Sequence, residues 1–231
     1  MASYNITAET QSEAAIERAK VPHPSKKTVE ESYDKIARTY LEWTSSFPSP
    51  RVTYLRKLIS LLPPTAQNNF LELGCGAGVP CTQILAQHGS IIAVDVSTAQ
   101  LEMARANVPG PGVEFQKADM GDLEFQDGSF DAVAGFYSLI HLPRSEQTIL
   151  IKRIFRWLKP GGYMLANFAT NGIEESWGGD WLGSEMFWSG WDVKGNIEMI
   201  QSAGFEVSIG NVEIENEGTK DVEFLWVIAR R

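Results

Sequence analysis

Asn69 to Pro80, NFLELGCGAGVP, is the stretch on which the fold turns. Phe70, Leu71 and Leu73 form an apolar run that stops at three glycines spaced Gly74-x-Gly76-x-Gly78, and Val79-Pro80 then opens a segment with helical spacing. That order predicts a strand, a tight turn and a helix. Glycines are needed in such a turn because a side chain would keep the backbone from approaching a ligand, and because the bend uses conformations closed to other residues. Pro80 suits a first helical turn, since the N–H it lacks would have no intrahelical partner there. The turn is expected to border a crevice of the nucleotide-binding type.

Two acidic positions further on sharpen the reading. Ile91 to Val94 is a second short apolar run ending in Asp95, 21 residues after Gly74. An acidic residue at the tip of the second strand is placed to accept hydrogen bonds from ribose hydroxyls. Folds that bind NAD share that feature, but they usually lack a glutamate such as Glu72 inside the first strand, and their turn is GxGxxG where this one is GxGxG. They also lack a third acidic station: Val113 to Lys117 reads as a strand that ends in Ala118-Asp119-Met120.

With Glu72, Gly74, Gly76, Gly78, Asp95 and Asp119 in this order, the chain resembles the class I S-adenosylmethionine-dependent methyltransferases. More narrowly, it is similar to the small-molecule branch that includes the ubiquinone and menaquinone C-methyltransferases. The resemblance covers residues 30 to 231. It implies S-adenosyl-L-methionine as cofactor, with S-adenosyl-L-homocysteine as product. It also implies that the glycine turn lies against the methionine part, that Asp95 holds the ribose, and that Asp119 with Met120 brackets the adenine. Val96, Gln100 and Phe136 complete the expected cofactor set, together with Tyr33, Tyr40, Tyr137 and His141.

Composition bounds the alternatives. At 231 residues and 43% apolar content, the chain is long enough for one good core, which fits a single domain. The net charge of −9 argues against nucleic acid or an anionic membrane as partner, because binding phosphates requires clustered lysine and arginine. Lys26-Lys27 and Arg230-Arg231 are isolated pairs. Cys75 and Cys81 both belong to the glycine turn and its helix, so a disulfide is not expected and a reducing compartment fits. Without an apolar targeting run or an 18-residue apolar segment, the cytoplasm is the expected location. The sequence leaves the oligomeric state open.

Along the chain, residues 1–27 read as a mobile leader broken at Val21-Pro22-His23-Pro24, and residues 28–231 as one methyltransferase domain. Residues 28–62 read as a helical cover. Tyr33, Ile36, Ala37 and Tyr40 recur at helical spacing within ESYDKIARTYLEW, and a second helix runs from Arg51 to Leu62. In the family the first of these helices folds over the cofactor; the alternative is a helix whose tyrosines simply pack on the sheet. Ser97 is an expected helix cap. Phe130 to Phe136 reads as a buried parallel strand that exits through Tyr137 to His141, where ligands bind in such sheets. Lys159-Pro160-Gly161-Gly162 is an expected turn, of a kind this branch of the family shows, before a strand at Tyr163 to Phe168. A helix from Val193 and strands at Phe205 to Ile209 and Glu223 to Ala229 follow. The expected fold is α/β: a seven-stranded Rossmann-like sheet, mostly parallel with the last strand antiparallel, and helices on both faces.

Between the fifth strand and the last helix, residues 170–195 change character and read as an aromatic lid. Trp177, Trp181, Phe187, Trp188 and Trp191 alternate with Gly178, Gly179, Gly183 and Gly190. Those rings are the expected substrate pocket for a small, flat, apolar acceptor; the alternative is that they cap the sheet edge. A sulfonium methyl is already activated, so the protein's tasks are to align the acceptor, exclude water and, for a hydroxyl acceptor, remove a proton. His141 is the first candidate base, with Tyr137 and Tyr33 behind it, although a lone histidine also serves structural roles. No metal is expected. A protein that binds the cofactor without transferring methyl, acting instead in a rearrangement or as a ligand binder, is the rival reading.

Overall fold

The computed structural model describes residues 23–65, 67–218 and 220–231. The chain opens with helix α1 (Pro24–Ser46) and α2 (Arg51–Leu61), followed by β1 (Asn68–Leu73), α3 (Cys81–Leu85), β2 (Gly89–Asp95), α4 (Thr98–Asn107), β3 (Val113–Lys117) and β4 (Phe130–Gly135). Next come α5 (Arg144–Trp157), β5 (Leu158–Ala169), a hairpin of β6 (Ser176–Trp181) and β7 (Ser184–Trp188), α6 (Val193–Ser202), β8 (Glu206–Asn216) and β9 (Asp221–Arg230).

Seven strands make one sheet in the order β3-β2-β1-β4-β5-β9-β8. β1 to β5 pair in parallel, β9 runs antiparallel to β5, and β8 runs antiparallel to β9, so only the last strand opposes the rest. The order reverses between β1 and β4, and a crevice at the carboxyl ends of those two strands follows from that topology. One face of the sheet is covered by α2, α3 and α4 through Tyr54, Leu58, Leu85 and Leu101. The other is covered by α5 and α6 through Leu150, Ile154, Trp157 and Ile200. Burying each of these large side chains contributes about 1.5–3 kcal/mol relative to exposure.

Four elements differ from the sequence reading. α1 begins at Pro24 and not at residue 28, because proline is tolerated at the first helical position and the His23 ring accepts the Ser25 N–H as a cap. Residues 23–27 are therefore ordered structure and not leader; the remainder of the expected leader lies outside the described residues. The two helices of the expected cover also part company. α2 packs on the sheet, whereas α1 lays Val29 and Ile36 on Met186 and Phe187 of the hairpin.

The hairpin was not expected. Its turn, Leu182-Gly183, has φ of 54° and 88°, and positive φ at both central positions is the primed turn that matches strand twist. Alternating glycine and tryptophan hid the strand pattern. A side chain at Gly178 would meet the Trp188 ring at 2.6 Å, so glycine is needed there to seat the indole. The KPGG turn persists as an outward bulge within β5, where the register jumps from Phe130↔Leu158 to Ala132↔Tyr163.

Candidate active site

The glycine turn sits directly on β2. The N–H groups of Gly74 and Cys75 both donate to the Val94 carbonyl, at 2.8 and 3.0 Å. Gly74 has φ +75°, and a Cβ there would collide with the Ser138 side chain, so neither the backbone nor the space admits another residue. Asp95 ties this turn to the next one: Oδ2 accepts the Gly76 N–H at 2.8 Å and Oδ1 the Ser97 N–H at 2.9 Å. Each oxygen keeps a further lone pair for a ligand. Burial pushes the Asp95 carboxyl up to about 6 even with those two donors. Ser97 caps α4 by accepting the Gln100 N–H, as expected, while Asp34 of α1 accepts from the Ser97 hydroxyl and the Ala99 N–H.

Two hollows flank the turn. One, of about 80 Å³, is bordered by Gly74, Asp95, Val96, Gln100, Asp119 and Met120, with Tyr33, Tyr40, Phe136, Tyr137 and His141 around it. The other, of about 40 Å³, is bordered by Glu72, Gly74, Gly76, Gln100 and Arg51. Gly78 borders neither; it packs α3 against α4, where a Cβ would press on Ala104 and Val108. Burial lifts the Glu72 carboxyl to about 8, and the Thr82 hydroxyl donates to it at 2.5 Å. Asp119 accepts the Gly121 N–H at 2.7 Å and pairs with Lys26 at 2.9 Å. Lys26 also reaches Glu146 at 3.0 Å; burial alone would lower its ammonium, but the two carboxylates outweigh it and hold it up to about 12.

Gln100 tests whether these hollows suit a polar ligand. Its amide is 1% exposed, and neither its oxygen nor its nitrogen has a partner among the described residues. A buried primary amide without partners is costly, and it borders both hollows. With the Asp95 and Asp119 carboxylates beside it, the residues fit an adenosyl group: hydroxyl acceptors, amide donors and a bare backbone bend.

Beyond the crevice opens a cavity of about 570 Å³. Trp181 and Trp188 line it, as the sequence suggested, and Tyr40, Trp43 and Phe47 of α1 and its following turn join them. Trp43 and Trp181 meet edge to face at 5.7 Å, which makes one continuous aromatic wall. Three of the expected pocket rings lie elsewhere. Trp177 is 42% exposed and packs on Phe187 at 4.9 Å; Phe187 is buried beneath α1; Trp191 lies under the Arg144 guanidinium at 4.6 Å. Strand alternation separates Phe187 from Trp188, which are neighbours on β7, and the register irregularity between Gly178 and Trp181 on β6 separates Trp181 from Trp177.

Two tyrosine pairs stand where crevice and cavity meet. The Tyr33 hydroxyl lies 2.9 Å from His141 Nε2, while His141 Nδ1 lies 2.7 Å from the Phe187 carbonyl. A carbonyl only accepts, so Nδ1 carries the hydrogen and Nε2 accepts from Tyr33. Burial lowers the His141 imidazole to about 4, so it is neutral in ordinary buffers. The expected base is thus weakly basic and already engaged. In the second pair, the Tyr137 hydroxyl donates to Glu215 Oε2 at 2.5 Å. Tyr137 has φ +54°, uncommon for an aromatic residue, and its N–H is fixed by the buried Asn167 at 2.7 Å. Lys26, Asp34, Trp43, Arg51, Asn167 and Glu215 were not picked out from the sequence. Among the described residues, no group of three metal-binding side chains occurs and no helix is long and apolar enough to cross a membrane.

Comparison with known proteins agrees with this geometry. Residues 70–162 match a methyltransferase domain family. The chain is 33% identical over 122 residues to methyltransferase GfsG of Streptomyces halstedii, covering 50% of this chain and 43% of that one. It is 34% identical over 109 residues to the demethylmenaquinone methyltransferase of Clavibacter sepedonicus, covering 46% and 44%. The chain thus spans less than half the length of these two relatives. A solved S-adenosylmethionine-dependent methyltransferase from Methanosarcina mazei superposes with a TM-score of 0.64 at 20% identity, over 80% of this chain and 98% of that one. Residues 70–162 thus carry a methyltransferase domain, and the chain as a whole has the fold of the S-adenosylmethionine-dependent methyltransferases.

Proposed function

We propose that this protein transfers the methyl group of S-adenosylmethionine to a small hydrophobic or aromatic metabolite. The observation that carries the reading is the continuity of the two spaces: Tyr33, Tyr40, Tyr137 and His141 border both the crevice and the aromatic cavity. The cofactor supplies a methyl group activated by its sulfonium. Asp95 holds the ribose hydroxyls, Asp119 and Met120 border the adenine, and Gly74 and Gly76 admit the methionine part, with Arg51 the cation on that side. Gln100 gains the partners it lacks. Trp43, Trp181 and Trp188 offer flat faces to the acceptor and keep water from the junction. α1 and the hairpin act together as the cover.

Oxygen is the first expected accepting atom, followed by nitrogen, sulfur and carbon. A demethylmenaquinone methyltransferase among the relatives supports a flat, apolar acceptor. Incubation of the protein with methyl-labelled cofactor and fractionated metabolite extract, followed by mass spectrometry, tests the reading. Labelled product and S-adenosylhomocysteine in equal amounts are expected. Binding of S-adenosylhomocysteine with no labelled product from any fraction would favour a protein that holds the cofactor without transferring methyl.

A further inference from the structure

The polar end of the cavity holds a directed chain of hydroxyls that the crevice does not use. Glu215 is 8% exposed and its two oxygens are held separately, Oε1 by the Trp226 indole N–H at 3.1 Å and Oε2 by the Tyr137 hydroxyl. The Ser49 hydroxyl lies 2.5 Å from the Tyr137 oxygen. A carboxylate only accepts, so the single Tyr137 hydrogen goes to Glu215 and the Tyr137 oxygen accepts from Ser49. The chain therefore runs from Ser49 through Tyr137 to Glu215. Tyr137 is the link to the chemistry, since it borders the cavity and both hollows of the crevice. An acceptor hydroxyl that takes the place of Ser49 on the Tyr137 oxygen would donate along the same line.

We propose that a phenolic hydroxyl is the accepting group, with Tyr137 receiving its proton and Glu215 drawing that proton on as the positioning residue behind it. This rests on the methyl-transfer reading above. The acceptor oxygen bonds to the methyl carbon while the carbon–sulfur bond breaks and sulfur keeps the electron pair. The acceptor's proton passes to the Tyr137 oxygen as the Tyr137 hydrogen moves to Glu215 Oε2, and the resulting carboxylic acid loses its proton to water in the open cavity. His141 lacks this arrangement, because the group behind its ring is the Phe187 carbonyl, which cannot take a proton on as a carboxylate does.

The test is single-turnover methyl transfer from labelled S-adenosylmethionine at pH 8 to two probes, phenol and 4-nitrophenol, the second of which is already largely ionised there. The intact protein methylates both. In Glu215→Gln, transfer to phenol falls by about 10²-fold or more while transfer to 4-nitrophenol falls by less than about tenfold, because only the first needs its proton removed. Tyr137→Phe gives the same split between the probes, and Glu215→Gln keeps the affinity for S-adenosylhomocysteine. Equal losses on both probes, no loss on either, or an intact protein that methylates neither phenol would overturn the assignment. Failure of the intact protein to bind S-adenosylhomocysteine would contradict the methyl-transfer reading itself.

Discussion

The crevice and the cavity are built by different means. Around the crevice, the contacts come from backbone and from strand tips: Gly74 and Gly76 against β2, and Asp95 and Asp119 at the ends of adjacent strands. Around the cavity, most of the walls are side chains on elements outside the parallel core, namely α1, the turn before α2, the hairpin and the β8–β9 tip, joined by Tyr137 and His141 beyond β4 and by Ala169 at the end of β5. The first is fixed by sheet register and tolerates little change. The second is assembled from pieces that can be altered one at a time, so cofactor binding and acceptor choice should separate under mutation.

The harshest way to probe that division is Gly74→Val. Its branched side chain would meet positive φ and Ser138 together, so binding of S-adenosylhomocysteine by calorimetry is expected to vanish and the melting temperature to fall, with a destabilisation of about 1–3 kcal/mol. Asp95→Asn is milder. Losing a charged hydrogen-bond partner is worth about 1.5–3 kcal/mol, which is roughly 10- to 150-fold in affinity. Because the ligand needs the carboxylate and burial raises its pKa to about 6, affinity in the intact protein should hold above that pH and fall below it. Each further unit of acid should weaken binding by up to about tenfold, and Asp95→Asn should remove the dependence.

On the cavity side, Trp181→Ala should raise the acceptor KM by about tenfold or more, as expected for losing a buried aromatic face, while S-adenosylhomocysteine binding stays near that of the intact protein. Trp177→Ala should leave both the acceptor KM and S-adenosylhomocysteine binding unchanged, since that ring faces away from the cavity. A modest effect sharpens the seam between the two regions. Lys26→Met removes the link from α1 to Asp119 and Glu146, an ion pair worth about 1 kcal/mol, so release of S-adenosylhomocysteine in stopped flow should quicken by about fivefold. Unchanged release would mean that α1 is held by its apolar face alone.

The same division governs what the sequence discloses. The places of Glu72, Gly74, Gly76, Asp95 and Asp119 beside the crevice were legible because parallel strands buried on both faces leave apolar runs that end at the ligand edge, whereas Gly78 packs α3 on α4 instead. The cavity was half legible. The tryptophan cluster announced itself, but alternation on β7 turns Trp188 to the cavity and Phe187 under α1, an irregularity between Gly178 and Trp181 turns Trp181 away from the side of Trp177, and the hairpin that decides this was masked by glycine. α1 was placed too late, since Pro24 reads as a break until its neighbour His23 is seen to cap the helix. Glu215 was hidden among Glu213 and Glu217, an acidic alternation that looks like a solvated strand face. Its partners Tyr137 and Trp226 are 78 and 11 residues away, and only the folded sheet brings them to it.

The central claim is that Asp95 and the glycine turn form an adenosyl-binding crevice distinct from the aromatic cavity. Calorimetric titration of the intact protein, Asp95→Asn and Trp181→Ala with S-adenosylhomocysteine tests it most directly. One-to-one binding by the intact protein, a marked loss in Asp95→Asn and near-normal binding in Trp181→Ala are the predicted results. No binding by the intact protein, or equal binding by all three, would contradict it.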